Sequence, residues 1–227
     1  MVRDVFSELL LILRPETSVK SLADQNDSCS IANEMGVDPN LILATSHGRR
    51  SVDVLKLYDP ARANWEYVSE MEGKIPREFG NDAVEIPGAR KLISCLDHLN
   101  APWAVVTSGT RALVTGWLDV LKLAEPKTMV VAEDVNNGKP DPACYLLGQS
   151  KLALQHQNDL IVVEDAPSGI KAGKAAGFKV IGLATTHSLD QVRGAGADWI
   201  VKDLDSVSVK SFENGRIAIE IRGAVAA

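Results

Sequence analysis

The chain has 227 residues, 45% of them hydrophobic and 24% charged, with a formal net charge of −6 at pH 7. That is the balance of a globular chain with room for one sizeable core and a smaller insert. Its acidity, and the lack of any Lys/Arg-rich run beyond Arg49-Arg50, exclude nucleic acid and an anionic membrane as partners on electrostatic grounds, while leaving room for a local phosphate site.

At the N-terminus the apolar run Leu9–Leu13 has the character of a strand. It is far too short to span a bilayer. Arg14 and Glu16 close in behind it, which makes a poor signal peptide. Cys29, Cys95 and Cys144 have no paired spacing, so neither a disulfide framework nor a structural zinc site is expected, and a reducing, cytoplasmic setting is. Residues 32–84 carry clustered charge with Trp65, Tyr67 and Phe79, and helical patterns at VDVLKLY and YVSEMEGKI. They read as a small helical insert over a sheet.

From residue 88 the pattern changes to alternation. Trp103–Thr107, Met129–Ala132, Leu160–Val163, Val180–Leu183 and Trp199–Val201 read as short strands buried on both faces. Gly88–Leu99, Arg111–Leu121, Asp141–Lys151 and Pro167–Ala176 have helical spacing, with Pro87-Gly88, Pro142 and Pro167 at their starts and Gly177 as a C-cap. Strand alternating with helix predicts βαβ units around a parallel sheet. The tail breaks this rhythm, because Ser206–Glu213 and Arg216–Ile221 flank the hairpin signal Asn214-Gly215.

Ligands of open parallel sheets sit beyond the carboxyl ends of the strands. There the sequence places Ser108-Gly109-Thr110, then Glu133-Asp134 and Asn137-Gly138-Lys139-Pro140, then Glu164-Asp165. Hydroxyls and amides for phosphate oxygens, one lysine, and two acids for a hard cation form an inventory for Mg²⁺-assisted phosphoryl chemistry. Each part also has a plain structural reading. TSGT can be a capped strand-to-helix turn, Lys139 a solvated side chain, Glu164-Asp165 a helix N-cap, and His47 a packing histidine. GIKAGKA is not a phosphate loop, since its glycine spacing is one residue short and Ala175 stands where Ser or Thr is needed.

Taken in order, TSGT, NGKPDPACYLLG and VVEDAPSGIKAGKAAG resemble motifs two, three and four of the haloacid dehalogenase superfamily, in its fungal glycerol-1-phosphatase and 2-deoxyglucose-6-phosphatase branch. TSHGRRSVDVL, EMEGKIPREFG and VEIPGARKL are similar to the helical cap of that branch, and the resemblance covers roughly residues 32–205. It implies an α/β fold: a parallel-sheet, Rossmann-like core over 85–227, a small helical cap over 32–84, and an atypical segment over 1–31 in place of the first core strand. It further implies a Mg²⁺-dependent phosphatase of a small phosphorylated polyol or sugar, acting as monomer or homodimer through an aspartyl-phosphate. In that scheme Thr107, with backbone from Ser108 and Gly109, binds the phosphoryl group, and Lys139 stabilises its charge. Asp165, with Glu164 directly or through water, holds Mg²⁺, and His47 and Arg50 face the organic part of the substrate.

The family's first motif, Asp-x-Asp-Gly-Thr, is expected near residues 10–17, where this chain reads LLILRPET. Both aspartates are missing. Glu16-Thr17 is the nearest imitation, and Asp24 with Asn26 has no apolar strand before it. The match stops sharply near residue 31, which points to a different first exon or start. The chain as written is therefore expected to be inactive or nearly so. The alternative is a catalytically silent protein that binds a phosphorylated ligand or a partner.

Overall fold

The structure is a computed structural model that describes residues 2–6, 8–11, 48–153 and 160–226; in the first two stretches it describes the backbone. In chain order the elements are strands β1 (Val2–Phe6) and β2 (Glu8–Leu11), helices α1 (Ser51–Tyr58), α2 (Trp65–Phe79) and α3 (Ala89–His98), and then strand β3 (Trp103–Val106). Helix α4 (Arg111–Val120), strand β4 (Met129–Val130), helix α5 (Ala143–Lys151), strand β5 (Leu160–Glu164) and helix α6 (Pro167–Ala175) follow. The chain ends with β6 (Lys179–Leu183), α7 (Leu189–Gly194), β7 (Trp199–Val201), β8 (Val207–Glu213), β9 (Arg216–Ile221) and β10 (Val225–Ala226).

The main sheet has the order β10-β7-β6-β5-β2-β3-β4, parallel except where β10 pairs antiparallel with β7. Successive residues of each strand point to opposite faces, and both faces are apolar. Val105, Ile161, Val163, Ile181 and Leu183 face Leu92, Ile93 and Leu96 of α3 in one buried cluster. Ala104, Val106, Leu160, Val162 and Val180 face Tyr145 of α5 and Ile170 of α6 in another. Helices on both faces are what a parallel sheet requires.

β2 lies inside this sheet, between β5 and β3. Leu11 is level with Val105 on one side and with Val163 on the other. The apolar N-terminal run thus fills the slot between the two strands whose ends carry the TSGT and Glu164-Asp165 motifs. Residues 12–47, His47 among them, lie outside the described residues.

Several elements depart from the sequence expectation. β4 ends at Val130, not Ala132, because the Asp134 carboxylate accepts the Val131 N–H at 3.3 Å and turns the chain into a 3-10 turn over Ala132–Asp134. The tail hairpin forms at Asn214-Gly215, both at positive φ, but it is joined by the unforeseen β1 into a separate antiparallel sheet β1-β9-β8. That sheet lays Val207, Val209, Ile217, Ile219 and Ile221 against the α3 side of the core. α7 was also not expected, although its capping box, Ser188 with Gln191, is visible in the sequence SLDQ. The helical patterns at 52–58 and 67–75 lie within α1 and α2.

α2 runs against α4 through small residues. A Cβ on Gly73 would stand 3.2 Å from Ala112, one on Gly116 2.8 Å from Pro76, and one on Gly80 3.0 Å from Val120. The backbones approach closely there, and α2 is seated on the helix that follows the TSGT loop. Among the described residues no helix is long and apolar enough to cross a membrane.

The sheet edge is packed as closely. A Cβ on Gly182 of β6 would lie 2.5 Å from Val192 Cγ1 and 3.0 Å from Ala197 Cβ. Gly182→Ala is expected to lower unfolding free energy by about 1–3 kcal/mol through overpacking, read from the urea midpoint at constant slope. A midpoint equal to that of the parent would show that α7 can move away freely.

Candidate active site

At the carboxyl ends of β3 and β5 the structure brings the expected groups together. The centre is a buried ion pair. Lys139 Nζ donates to Glu164 Oε1 at 2.7 Å and, at the outer limit of hydrogen bonding, to the Val106 carbonyl at 3.5 Å. The side chains are 1% and 0% exposed, so neither charge survives without the other. The Tyr145 hydroxyl also donates to Oε1 at 3.3 Å, and its ring lies 5.1 Å from the ammonium. Burial first, and then the Glu164 charge, push the Tyr145 hydroxyl well above its ordinary value, so it stays a neutral donor.

The other oxygen, Glu164 Oε2, accepts the backbone N–H groups of Asp165 at 2.7 Å and Ala166 at 2.8 Å. The carboxylate curls under the start of α6, and only a glycine fits above it. A Cβ on Gly169 would overlap Oε1 at 1.7 Å. The sequence leaves Glu164 open to three readings: metal ligand, partner of a lysine, or helix cap. The structure makes it the counter-ion of Lys139 and a cap of the following turn. Asp165, also buried, is met at Oδ2 by the Thr186 hydroxyl at 2.5 Å. Thr186 was not singled out from sequence, because nothing in ATTHS marks one hydroxyl of a loop as facing a neighbouring strand end.

The TSGT loop is held from within and from the helical insert. The Gly109 N–H donates to Thr107 Oγ1 at 3.0 Å, and Ser108 Oγ donates to the Gly48 carbonyl at 2.9 Å. Gly48 has φ +75, and a Cβ there would lie 2.1 Å from Ser168 Oγ, so the entry to the insert sits hard against both motif loops. At the start of α4, the Thr110 N–H donates to Glu72 Oε2 at 2.7 Å, and the Arg111 N–H donates to both oxygens of Glu133 at 3.1 and 3.2 Å. Glu72, from α2, also accepts from Ser51 Oγ of α1 at 2.5 Å. One buried carboxylate therefore links both insert helices to the helix that follows TSGT.

Arg50 requires a correction. The sequence places it against the substrate, but the structure buries it as a clamp. Its Nε and Nη2 donate to the Asp53 carboxylate at 2.6 and 3.0 Å. Nη1 donates to the carbonyls of Val135 and Ala132 at 2.6 and 3.3 Å, and Nη2 to that of Asn136 at 2.8 Å. All five guanidinium donors are thereby taken, and the Trp65 ring stacks at 5.6 Å. Gly138 gives the clamp its room, since a Cβ there would lie 2.8 Å from both Arg50 Nε and Asp53 Oδ2. Among the described residues no group of three or more His, Cys, Asp or Glu side chains is placed to hold a metal ion.

Two outcomes follow from this geometry. Lys139→Met or Glu164→Gln alone strands a buried group and is expected to cost about 3–5 kcal/mol, whereas the double variant recovers much of that loss. Strictly additive losses in denaturant melts would contradict a direct pair. For Glu72, burial is the largest influence and raises its carboxyl above the ordinary value of 4.5; the Glu133 charge adds to the rise, and the Ser51 and Thr110 hydrogen bonds oppose it. A raised folded value means that its share of stability is full below the ordinary value and lost as pH climbs through the folded one. Glu72→Gln should therefore flatten the fall in stability from acid to neutral pH, and an unchanged slope would contradict a buried, titrating Glu72.

The chain is similar to known proteins in sequence and in fold. Residues 42–183 match the family model described as haloacid dehalogenase-like hydrolase. Glycerol-1-phosphate phosphohydrolase 1 of Saccharomyces cerevisiae is 40% identical over 191 residues, covering 81% of this chain and 76% of its own. 2-Deoxyglucose-6-phosphate phosphatase 1 of the same yeast is 38% identical over 208 residues, covering 83% and 84%. Among solved structures, a hydrolase from Pseudomonas syringae superposes with a TM-score of 0.72 at 22% identity, covering 87% of this chain and 94% of its own. With that family match and relatives at this identity, the chain belongs to the haloacid dehalogenase-like hydrolases.

Proposed function

We propose that the pocket at the ends of β3 and β5 is a Mg²⁺-dependent phosphomonoester site for a small phosphorylated polyol or sugar. The observation that carries this reading is the buried Lys139–Glu164 pair set beside Thr107 and Asp165. The printed activities of the two yeast relatives, on glycerol-1-phosphate and 2-deoxyglucose-6-phosphate, supply the substrate class. A cytoplasmic setting fits the unpaired Cys95 and Cys144.

The residues divide the work by their remaining hydrogen-bonding capacity. Lys139 carries three N–H groups, of which one points to Glu164 and one weakly to Val106, and the third is for a phosphoryl oxygen. Thr107 accepts from Gly109, so its own O–H is the group that donates to phosphate. The Ser108 hydroxyl donates to Gly48, which leaves Ser108 its backbone as the contribution. A phosphate dianion would add negative charge beside the Glu164 and Asp165 carboxylates. Mg²⁺ binds through one or two carboxylates together with phosphate oxygens and water, which fits Asp165 with Glu164 behind it. Bound there, it would supply positive charge to the phosphoryl oxygens.

Hydrolysis through an aspartyl-phosphate needs an attacking carboxylate, and the residues after β2 in the sequence, ILRPET, contain no aspartate. We therefore assign this chain the ligand-binding half of the phosphatase chemistry and expect turnover at background rate. Calorimetry with glycerol phosphate should show binding that depends on Mg²⁺ and weakens about tenfold or more, ~1.4 kcal/mol, in Asp165→Asn. Binding indifferent to both would overturn the site. Release of phosphate above background that is lost in Asp165→Asn would keep the site and overturn the silent assignment.

A further inference from the structure

We propose that Arg50 is the positioning residue of Lys139, holding from the helical insert the turn that aims the ammonium at the phosphoryl group. This rests on the reading of Lys139 as the group that meets a phosphoryl oxygen. The guanidinium gathers the carbonyls of Ala132, Val135 and Asn136, all on the segment that leads into Lys139. Gly138, the residue before Lys139, packs on the clamp itself, since a Cβ there would lie 2.8 Å from both Arg50 Nε and Asp53 Oδ2. The backbone that carries Lys139 is thus located by contact with an insert residue. A lysine is a compact charge on a flexible stem, so where its ammonium sits depends on how firmly its backbone is held.

Beyond Lys139 the turn is held by the core alone. The Asp141 N–H donates to the Gly138 carbonyl at 3.1 Å, and the Asp141 carboxylate accepts from the Ala143 N–H at 2.9 Å and from Asn137 Nδ2 at 3.3 Å. Helix α5 then sets the Tyr145 ring against the ammonium. Lys139 therefore stands between two supports, and Arg50 is the one that belongs to the insert. That support is itself fixed, because Asp53 takes Nε and Nη2 and the Trp65 ring stacks on the guanidinium. Burial pushes the Asp53 carboxyl up, but the hydrogen bond and charge of Arg50, with Lys56 beside them, hold it below the ordinary value, so the pair stays ionised at neutral pH. A lysine in place of Arg50 would keep the charge and lose the clamp, since three donors on one ammonium cannot span a carboxylate and three carbonyls. Losing one well-aimed bond from a charged donor to phosphate is worth about 10–100-fold in affinity.

The test reads the Lys139 ammonium directly, in heteronuclear magnetic resonance spectra of ¹⁵N-lysine-labelled protein titrated with inorganic phosphate in a Mg²⁺ buffer. Each variant is measured well below its own melting temperature, so that only folded chains are compared. The Lys139 signal is identified by its loss in the Lys139→Met, Glu164→Gln double variant, and in the parent it should shift as phosphate is added. In Arg50→Lys the signal should be displaced or broadened before any phosphate is present, and phosphate affinity should fall about 10–100-fold. A merely structural anchor would lower the melting temperature and move neither readout. If Arg50→Lys fails to fold, Asp53→Asn takes its place, weakens the same clamp and is expected to change both readouts in the same direction. Parent-like phosphate affinity in the folded variant, whatever its melting temperature, overturns the positioning role while leaving the site intact. A parent signal that phosphate does not move, or a double variant that binds phosphate as the parent does, overturns the phosphate reading of Lys139, and the positioning role falls with it.

Discussion

Everything at the sheet edge is arranged around one buried ion pair. A carboxylate and an ammonium, both almost fully removed from water, are tolerable only with close geometry and with their remaining capacity satisfied. Here Oε1 of Glu164 has Lys139 and Tyr145, and Oε2 has two backbone N–H groups. Those contacts dictate much else: a Gly at 169, because any Cβ would strike the carboxylate, and Tyr145 on the inner face of α5. The pair also explains why an apolar strand can run into two acids. The first acid is neutralised by a lysine, and the second accepts a hydrogen bond from the Thr186 hydroxyl.

The helical insert is fastened to this edge by different chemistry at three places. Arg50 bridges the start of α1 to the carbonyls of the turn that precedes Lys139. Glu72 joins α1, α2 and the N-terminus of α4 through a single carboxylate. Small residues let α2 and α4 approach along their length. The loops that would touch a phosphoryl group are therefore shaped by the insert as much as by the sheet, since Ser108 and Thr110 each have a partner in it.

Much of this was legible in the sequence. Short continuous apolar runs locate β3, β5, β6 and β7 to within a residue or two, and the order of the polar motifs locates the edge where they meet. What the sequence misplaced, left open or missed has a common cause. Arg50, Glu164 and Thr186 are polar residues whose roles depend on partners 82 to 86, 25 and 21 positions away, a separation at which local pattern says nothing. The family resemblance marks Arg50 as a substrate contact, and only the full set of its acceptors shows that no donor remains for one. The shortening of β4 is more local, because Asp134 competes with the sheet for the Val131 N–H, and that competition cannot be weighed from residue types.

The two carboxylates at the start of α4 bear on selectivity. A helix N-terminus ordinarily attracts any passing anion through its open amides and its dipole. In this chain the amides of Thr110 and Arg111 already face Glu72 and Glu133, so that end of the helix is electrically quenched. Chloride, sulfate and stray carboxylates find little reason to linger there. In the proposed function, recognition is thereby transferred from a diffuse field to Lys139 and the loop groups near it, where shape and hydrogen-bond direction, not charge alone, would decide which anion is admitted.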